Sequence, residues 1–193
     1  MKILVLSNTS ALADSVTLPE IQSGADSALL SPGQPLFLPD HLGQWRSQIC
    51  PAIRICRLGM NIPEKSARAH YNAFTAVHIL RPAGTTPPDA AIIMDRAFAH
   101  GEWLDEIPET ITIETEAEPL PGFRGVLPPH VSASARTDSL MIDRSIASIS
   151  RFATLKTGDI LIFADLTACT MPLIDTRMLI TINGIQTLSL KIK

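Results

Sequence analysis

The chain has 193 residues, a length that suits one domain built around a single core. Hydrophobic residues make up 46% of it and charged residues 18%, which excludes a disordered chain. Its net charge is −3 and its 16 Lys and Arg are scattered, so we expect no nucleic acid partner.

Cysteine usage and apolar run lengths indicate the compartment. Cys50, Cys56 and Cys169 form no C-x-x-C pair and are odd in number, so we interpret all three as reduced. The apolar run at residues 3–6 is shorter than the roughly 7 to 15 residues of an export signal. Apolar runs reach only five residues, as at 160–164, against about 18 for a membrane span. We predict a cytoplasmic protein with no membrane partner.

The first half of the chain alternates short apolar runs with turn residues. The intervening residues 7–28 are rich in Ser, Ala and Asp and predict a loop or a poorly defined helix. Asn61 is a suitable cap for a helix to about residue 71, and Pro87-Pro88 breaks the chain after the last strand. The runs predict strands at residues 1–6, 36–38, 52–58 and 75–80.

The second half is similar but ends in a hairpin. Residues 119–136 form a turn-rich connection, and a helix capped by Thr137 or Asp138 is predicted to run to about residue 154. Asn183-Gly184 predicts a two-residue hairpin turn. The strands predicted here are residues 111–117, 160–163, 178–182 and 185–192. Strands outnumber helices, so we predict an α+β, mostly β domain spanning residues 1–193, with antiparallel or mixed sheets closing into a barrel or roll.

Few residues carry a recognisable chemical pattern. The carboxylates of Glu114, Glu116 and Glu118 could attract Mg²⁺ or Ca²⁺, but side chains in one strand row do not converge, so we predict a solvent face. The five histidines are far apart, and His78 lies in an apolar run where a core hydrogen bond is the expected role. No sequence neighbour supplies Cys50 with a base, and glycine-rich phosphate loops are absent.

Several stretches, in order along nearly the whole chain, resemble a short bacterial branch of the fumarylacetoacetate hydrolase family. The most specific is a helix followed by the T-L-K-x-G-D turn at residues 154–159 and a strand, together with G-I-x-T-L at residues 184–188. The family includes acylpyruvate hydrolases, decarboxylases and isomerases. The resemblance implies a mixed β-roll of the family's C-terminal domain type around a deep pocket, usually in a dimer.

The same resemblance implies that the metal site is lost. Family enzymes hold Mg²⁺ or Mn²⁺ with an E-x-E pair on a strand and an aspartate further along, and these positions fall on Gln48, Cys50 and Ile79. A hard cation needs anionic oxygen to offset its dehydration, so we expect no metal cofactor.

The family's glycine-rich T-G-T-P-x-G loop, which holds the substrate carboxylate, is also replaced. Its place is taken by Phe163, Ala164, Asp165, Leu166, Thr167 and Ala168. Asp165 would put a negative charge where an anionic substrate binds.

Three hypotheses follow from this resemblance. The first is a non-catalytic relative that acts as a binding or partner subunit, as a homodimer or beside a paralogue. The second is a divergent hydrolase, isomerase or decarboxylase for a small keto acid or acylpyruvate, with Asp165, Cys50, Gln48 and His78 as candidate groups. The third is a protein whose pocket has closed and whose role is structural.

Overall fold

The structure is a computed structural model that describes residues 1–12, 17–40, 43–83 and 94–193. The predicted break at Pro87-Pro88 lies outside these residues, as does His41, one of the five histidines. The described strands are β1 (Ile3–Ser7), β2 (Glu20–Gly24), β3 (Trp45–Ile55), β4 (Tyr71–Pro82), β5 (Phe98–His100), β6 (Thr110–Pro119), β7 (Val131–Arg136), β8 (Ile160–Phe163), β9 (Ala168–Thr170), β10 (Thr176–Ile182) and β11 (Ile185–Ile192).

The larger sheet is mixed and carries the candidate site. Its strand order is β2-β1-β8-β3-β4-β5, and β9 pairs with β3 beyond the end of β8. β1 and β8 are parallel, and the other pairs between named strands are antiparallel. β3 and β4 are buried along most of their length, as expected for strands covered on both faces.

The second sheet is antiparallel, in the order β11-β10-β6-β7. The predicted hairpin is confirmed: Asn183 and Gly184 both have positive φ, 49° and 79°, as a type I′ turn requires. Ile111, Ile113 and Thr115 of β6 are buried, whereas the alternate positions are more exposed. The fold is therefore α+β and mostly β, as the sequence predicts.

The helices are short. α1 (Glu64–Ala67) continues into a 3₁₀ turn at Arg68–His70, and α2 (Ile142–Ser150) follows another at Thr137–Leu140. Further 3₁₀ turns lie at Thr9–Ala11 and Asp26–Ala28. None of the helices in the described ranges is long and apolar enough to cross a membrane.

Several predicted boundaries are wrong. The single helix at 138–154 is interrupted because Met141 adopts a left-handed conformation, with φ 50°, and α2 ends at Ser150. β3 begins at Trp45 rather than residue 52, and residues 36–38 make only an isolated bridge from Leu36 to Ile192. β2 and β7 fall in segments predicted as loops or poorly defined helix, and β9 in a segment for which no strand was predicted. Each pairs with a stronger strand despite polar or turn-forming residues.

The T-L-K-x-G-D turn is part of the scaffold. The Asp159 carboxylate accepts hydrogen bonds from the backbone N–H of Lys2 at 2.7 Å and of Lys156 at 2.9 Å. Lys2 Nζ lies 3.3 Å from the same carboxylate, which is almost fully buried. Gly158 has φ 91°, which favours glycine. This motif therefore joins the start of β1 to the turn that precedes β8.

Candidate functional site

The structure brings together, on one face of the larger sheet, the three positions that the resemblance assigns to metal ligands. Gln48 and Cys50 are two residues apart on β3, so their side chains lie on the same side. Ile79 of β4 is the register partner of Gln48. The three positions are thus neighbours on a single surface, as the sequence resemblance implies.

Cys50 is a neutral, inert group in this setting. Its side chain is fully buried, and burial raises the pKa of the thiol to about 12, although a hydrogen bond with Thr167 and the charge of Arg81 oppose the shift. The thiol donates to Thr167 Oγ1 at 3.4 Å. The thiolate is the form that binds metal or attacks a substrate, and burial disfavours that form of Cys50.

The side chain of Gln48 contacts a positively charged side chain, that of Arg81. Its side-chain carbonyl Oε1 accepts a hydrogen bond from Nε of Arg81 at 2.5 Å. Arg81 lies near the end of β4, is 8% exposed, and also donates from a terminal guanidinium nitrogen to Gln22 Oε1 of β2 at 3.1 Å. The side-chain oxygen of Gln48 therefore already accepts a hydrogen bond from a guanidinium of the same chain.

The contact between Arg81 and Gln22 also indicates the shape of the sheet. β2 and β4 are four strand spacings apart in the pairing order, about 19 Å if the sheet were flat. Two side chains of this length cannot span that distance. The sheet must curl, so the face that carries Gln48, Cys50 and Ile79 is concave.

The residues at the three positions do not fit Mg²⁺ or Mn²⁺. Ile79 offers no donor atom, Cys50 a neutral thiol, and Gln48 one amide oxygen that already accepts from Arg81. Hard divalent cations require several oxygen ligands, including carboxylates. In the described part of the chain, no group of three His, Cys, Asp or Glu residues is arranged to hold a metal ion.

The segment 163–168, which the resemblance aligns with the substrate loop, is tied back to the N-terminal segment. Phe163 and Leu166 are buried, and the backbone N–H of Ala164 donates to the carbonyl of Leu6. The Asp165 carboxylate accepts hydrogen bonds from the backbone N–H of Asn8 at 2.7 Å and of Thr9 at 2.6 Å, and from the Thr9 hydroxyl. These contacts give Asp165 the role of a cap on the 3₁₀ turn at Thr9–Ala11.

The second half of that loop lies against Cys50. Thr167 lies just before β9, which begins at Ala168, and its hydroxyl accepts the hydrogen bond from Cys50 on β3. The same hydroxyl lies 4.0 Å from Cys169 Sγ. Cys169 is the register partner of Gln48. Two thiols and one hydroxyl therefore lie together beside Gln48 on this face.

His78 does not join this site. Strand alternation places it on the opposite face from Ile79, where Nε2 lies 2.8 Å from Ser47 Oγ. The side chain is completely buried, and burial lowers its pKa to about 4. The sequence-based expectation of a core histidine with a hydrogen bond is thus confirmed.

The acidic row and the cysteines are also placed as the sequence predicts. Glu116 is exposed and Glu114 and Glu118 are partly or fully exposed on β6, with Glu114 3.7 Å from His130 Nε2. Cys50, Cys56 and Cys169 are free thiols.

The sequence-based site omits Arg81 and Gln22. A signal for Arg81 was available: it is a single cation at the end of an almost uninterrupted apolar run, and a charge in a buried strand needs polar partners. Gln22 gave no signal, because its strand was not predicted.

Comparison with known proteins supports the fold. No protein-family model and no curated protein matches the chain. Among solved structures, fumarylpyruvate hydrolase from Pseudomonas aeruginosa, in complex with Mn²⁺ and pyruvate, is similar over 100% of this chain and 89% of its own, with TM-score 0.73 and 15% identity.

Two further structures agree. A 2-hydroxyhepta-2,4-diene-1,7-dioate isomerase from Mycobacterium marinum is similar over 99% of this chain and 73% of its own, with TM-score 0.76 and 20% identity. A protein from Yersinia pestis CO92, described as of the fumarylacetoacetate hydrolase family, is similar over 100% of this chain and 92% of its own, with TM-score 0.75 and 17% identity. The chain therefore has the fold of the fumarylacetoacetate hydrolase family.

Proposed function

We propose that the chain is a non-catalytic relative of the fumarylacetoacetate hydrolase family that acts in the cytoplasm as a binding or partner subunit. It would do so as a homodimer or in complex with an active paralogue. The observation that carries the proposal is the contact between Arg81 and Gln48, which places a positive charge of the chain itself at one of the three positions that the resemblance assigns to metal ligands.

The neighbouring residues support the same proposal. Family chemistry requires a metal that stabilises an enolate, and this face offers no anionic oxygen at positions 48, 50 and 79. Asp165, the carboxylate within the segment that the resemblance aligns with the substrate loop, accepts three hydrogen bonds from Asn8 and Thr9. These residues therefore supply neither the anionic ligands that such a metal would need nor a free general base.

The test is calorimetric titration of the metal-free protein with MnCl₂ and MgCl₂, together with turnover assays on acylpyruvates and oxaloacetate. We expect no saturable binding and no turnover. Metal binding at micromolar Kd with a three-oxygen site would refute the proposal.

The second candidate is a divergent hydrolase, isomerase or decarboxylase that acts on a small keto acid or acylpyruvate. It is favoured by the names of the similar structures, which include a fumarylpyruvate hydrolase and a dioate isomerase. Turnover that is lost in Gln48→Ala and retained in Arg57→Gln would establish it, because Arg57 is exposed near the opposite end of β3.

A further inference from the structure

An open cleft runs along the edge where the two sheets meet, beside the concave face that carries Gln48, Cys50 and Ile79. Its main part has a volume of about 720 Å³ and continues into a smaller part of about 440 Å³. One wall is formed by Trp45 and Arg46 at the start of β3 and by residues 169–173, and the other by residues 126–131. A volume in this range suits a small organic ligand.

The walls of the cleft are mostly apolar. Val126 is 88% exposed and Met171 is 55% exposed, and Pro128, Pro129 and Leu173 lie between them along the cleft. Apolar side chains grouped in this way lose contact with water when a ligand binds. The walls therefore favour a ligand with a substantial hydrocarbon part.

The charged groups of the cleft have one sign. Arg46 and Arg124 are the charged side chains among the described lining residues, although the chain as a whole has a net charge of −3. In the described ranges, Arg46 makes no ion pair and no side-chain hydrogen bond, and it is exposed. A guanidinium in this position can bind a carboxylate through two parallel hydrogen bonds.

The cleft directly adjoins this concave face. Cys169 lines it and is the register partner of Gln48, and Arg46 is two residues before Gln48 on the same face of β3. A ligand in the cleft would thus lie next to the former metal positions without using them.

We propose that this cleft binds an amphipathic monocarboxylate, with its hydrocarbon part against residues 126–131 and Met171 and its carboxylate at Arg46. The inference rests on the proposed function, since it names the ligand class of a binding protein that needs no metal. It differs from a small keto diacid, which a metal would chelate.

The test uses Cys169 as a reporter in a Cys56→Ser background, where Cys169 is the exposed thiol and Cys50 is buried. The probe is decanoate, and the neutral comparison is 1-decanol. We expect saturating decanoate to slow N-ethylmaleimide labelling of Cys169 at least fivefold. We expect Arg46→Gln to raise the decanoate Kd at least tenfold and to change the decanol Kd less than twofold, and Arg57→Gln to change neither.

Several results would overturn the inference. These are an absence of protection by decanoate, equal loss of decanoate affinity in Arg46→Gln and Arg57→Gln, or displacement of decanoate by oxaloacetate. Labelling of the free protein that slows as protein concentration rises would show that a second copy covers the cleft. Metal binding in the calorimetric test would refute the proposed function alone, so the two failures are distinguishable.

Discussion

The carboxylate of Asp165 accepts a hydrogen bond from the backbone N–H of Thr9 at 2.6 Å, joining two loops that are 156 residues apart in sequence. Asn8 has a left-handed conformation, with φ 58°, which turns its own N–H toward the same carboxylate. The acid of the former substrate loop therefore holds the segment after β1 in place.

Replacing Asp165 should lower stability. We expect Asp165→Ala to reduce the free energy of unfolding by about 1–2 kcal/mol, because backbone donors at a helical start lose their cap. Asp165→Asn should lose less, since an amide oxygen still accepts one bond. Urea unfolding measures both, and Asp105→Ala, at an exposed position, serves as the control. Equal stability of Asp165→Ala and this control would show that the cap contributes nothing.

Arg81 should contribute to the stability of the protein through its contact with Gln48 on the concave face. We expect Arg81→Met to reduce the free energy of unfolding by about 1–3 kcal/mol, because the half-buried Gln48 carbonyl loses the donor that the structure shows. Arg81→Lys should recover only part of the loss, since one ammonium does not reproduce the planar fork. Urea unfolding with and without MgCl₂ measures the effect, and Mg²⁺ should not restore it.

The exposed Arg151, in the turn after α2, provides the matched control for this measurement. Arg151→Met should change stability by no more than about 0.5 kcal/mol. Stability of Arg81→Met equal to that of Arg151→Met, or its rescue by Mg²⁺, would contradict the role given to Arg81.

The sequence was sufficient for elements whose signal is local. The Asn183-Gly184 turn and the strand Ile160–Phe163 are specified by their own residues and occur as predicted. β2 and β9 could not be predicted in this way, because Glu20–Gly24 and Ala168–Thr170 are strands only through pairing with β1 and β3.

For the site, the sequence located positions but not their contacts. Counting from a motif placed Gln48, Cys50 and Ile79, and the structure puts them side by side. The contact of Arg81 with Gln22 depends on the curl of the whole sheet, which no local pattern encodes. The capping contacts of Asp165 likewise join loops at opposite ends of the chain.

His78 should make stability depend on pH. Its pKa is lowered to about 4 in the folded state from 6.5, and Nδ1 has no hydrogen-bond partner among the described residues. The unfolded chain therefore binds a proton first, and stability present above pH 6.5 is lost as the pH falls toward 4. We expect a loss of about 2 kcal/mol from this residue between pH 7 and pH 5.

The measurement is the urea midpoint at the two pH values. His78→Gln keeps a polar partner for Ser47 and should show the smaller loss, whereas His130→Gln, at an exposed position, should retain the wild-type loss. If His78→Gln does not fold, an NMR titration of the His78 imidazole in the wild type replaces it. An imidazole that titrates near 6.5 in the folded protein would refute the expectation.

Restoring carboxylates at the three positions should restore a metal site once the competing cation is removed. We expect the combined change Gln48→Glu, Cys50→Glu, Ile79→Asp and Arg81→Gln to be less stable than the wild type without metal, because three acids would repel one another. MnCl₂ at about 100 times its Kd should return about 2.7 kcal/mol. Thermal unfolding with and without MnCl₂ measures this, and the triple change that keeps Arg81 should respond less, because its guanidinium pairs with the new Glu at position 48. A folded quadruple variant that does not respond to Mn²⁺ would show that these side chains do not converge, and the site would then have to be sought elsewhere on the concave face.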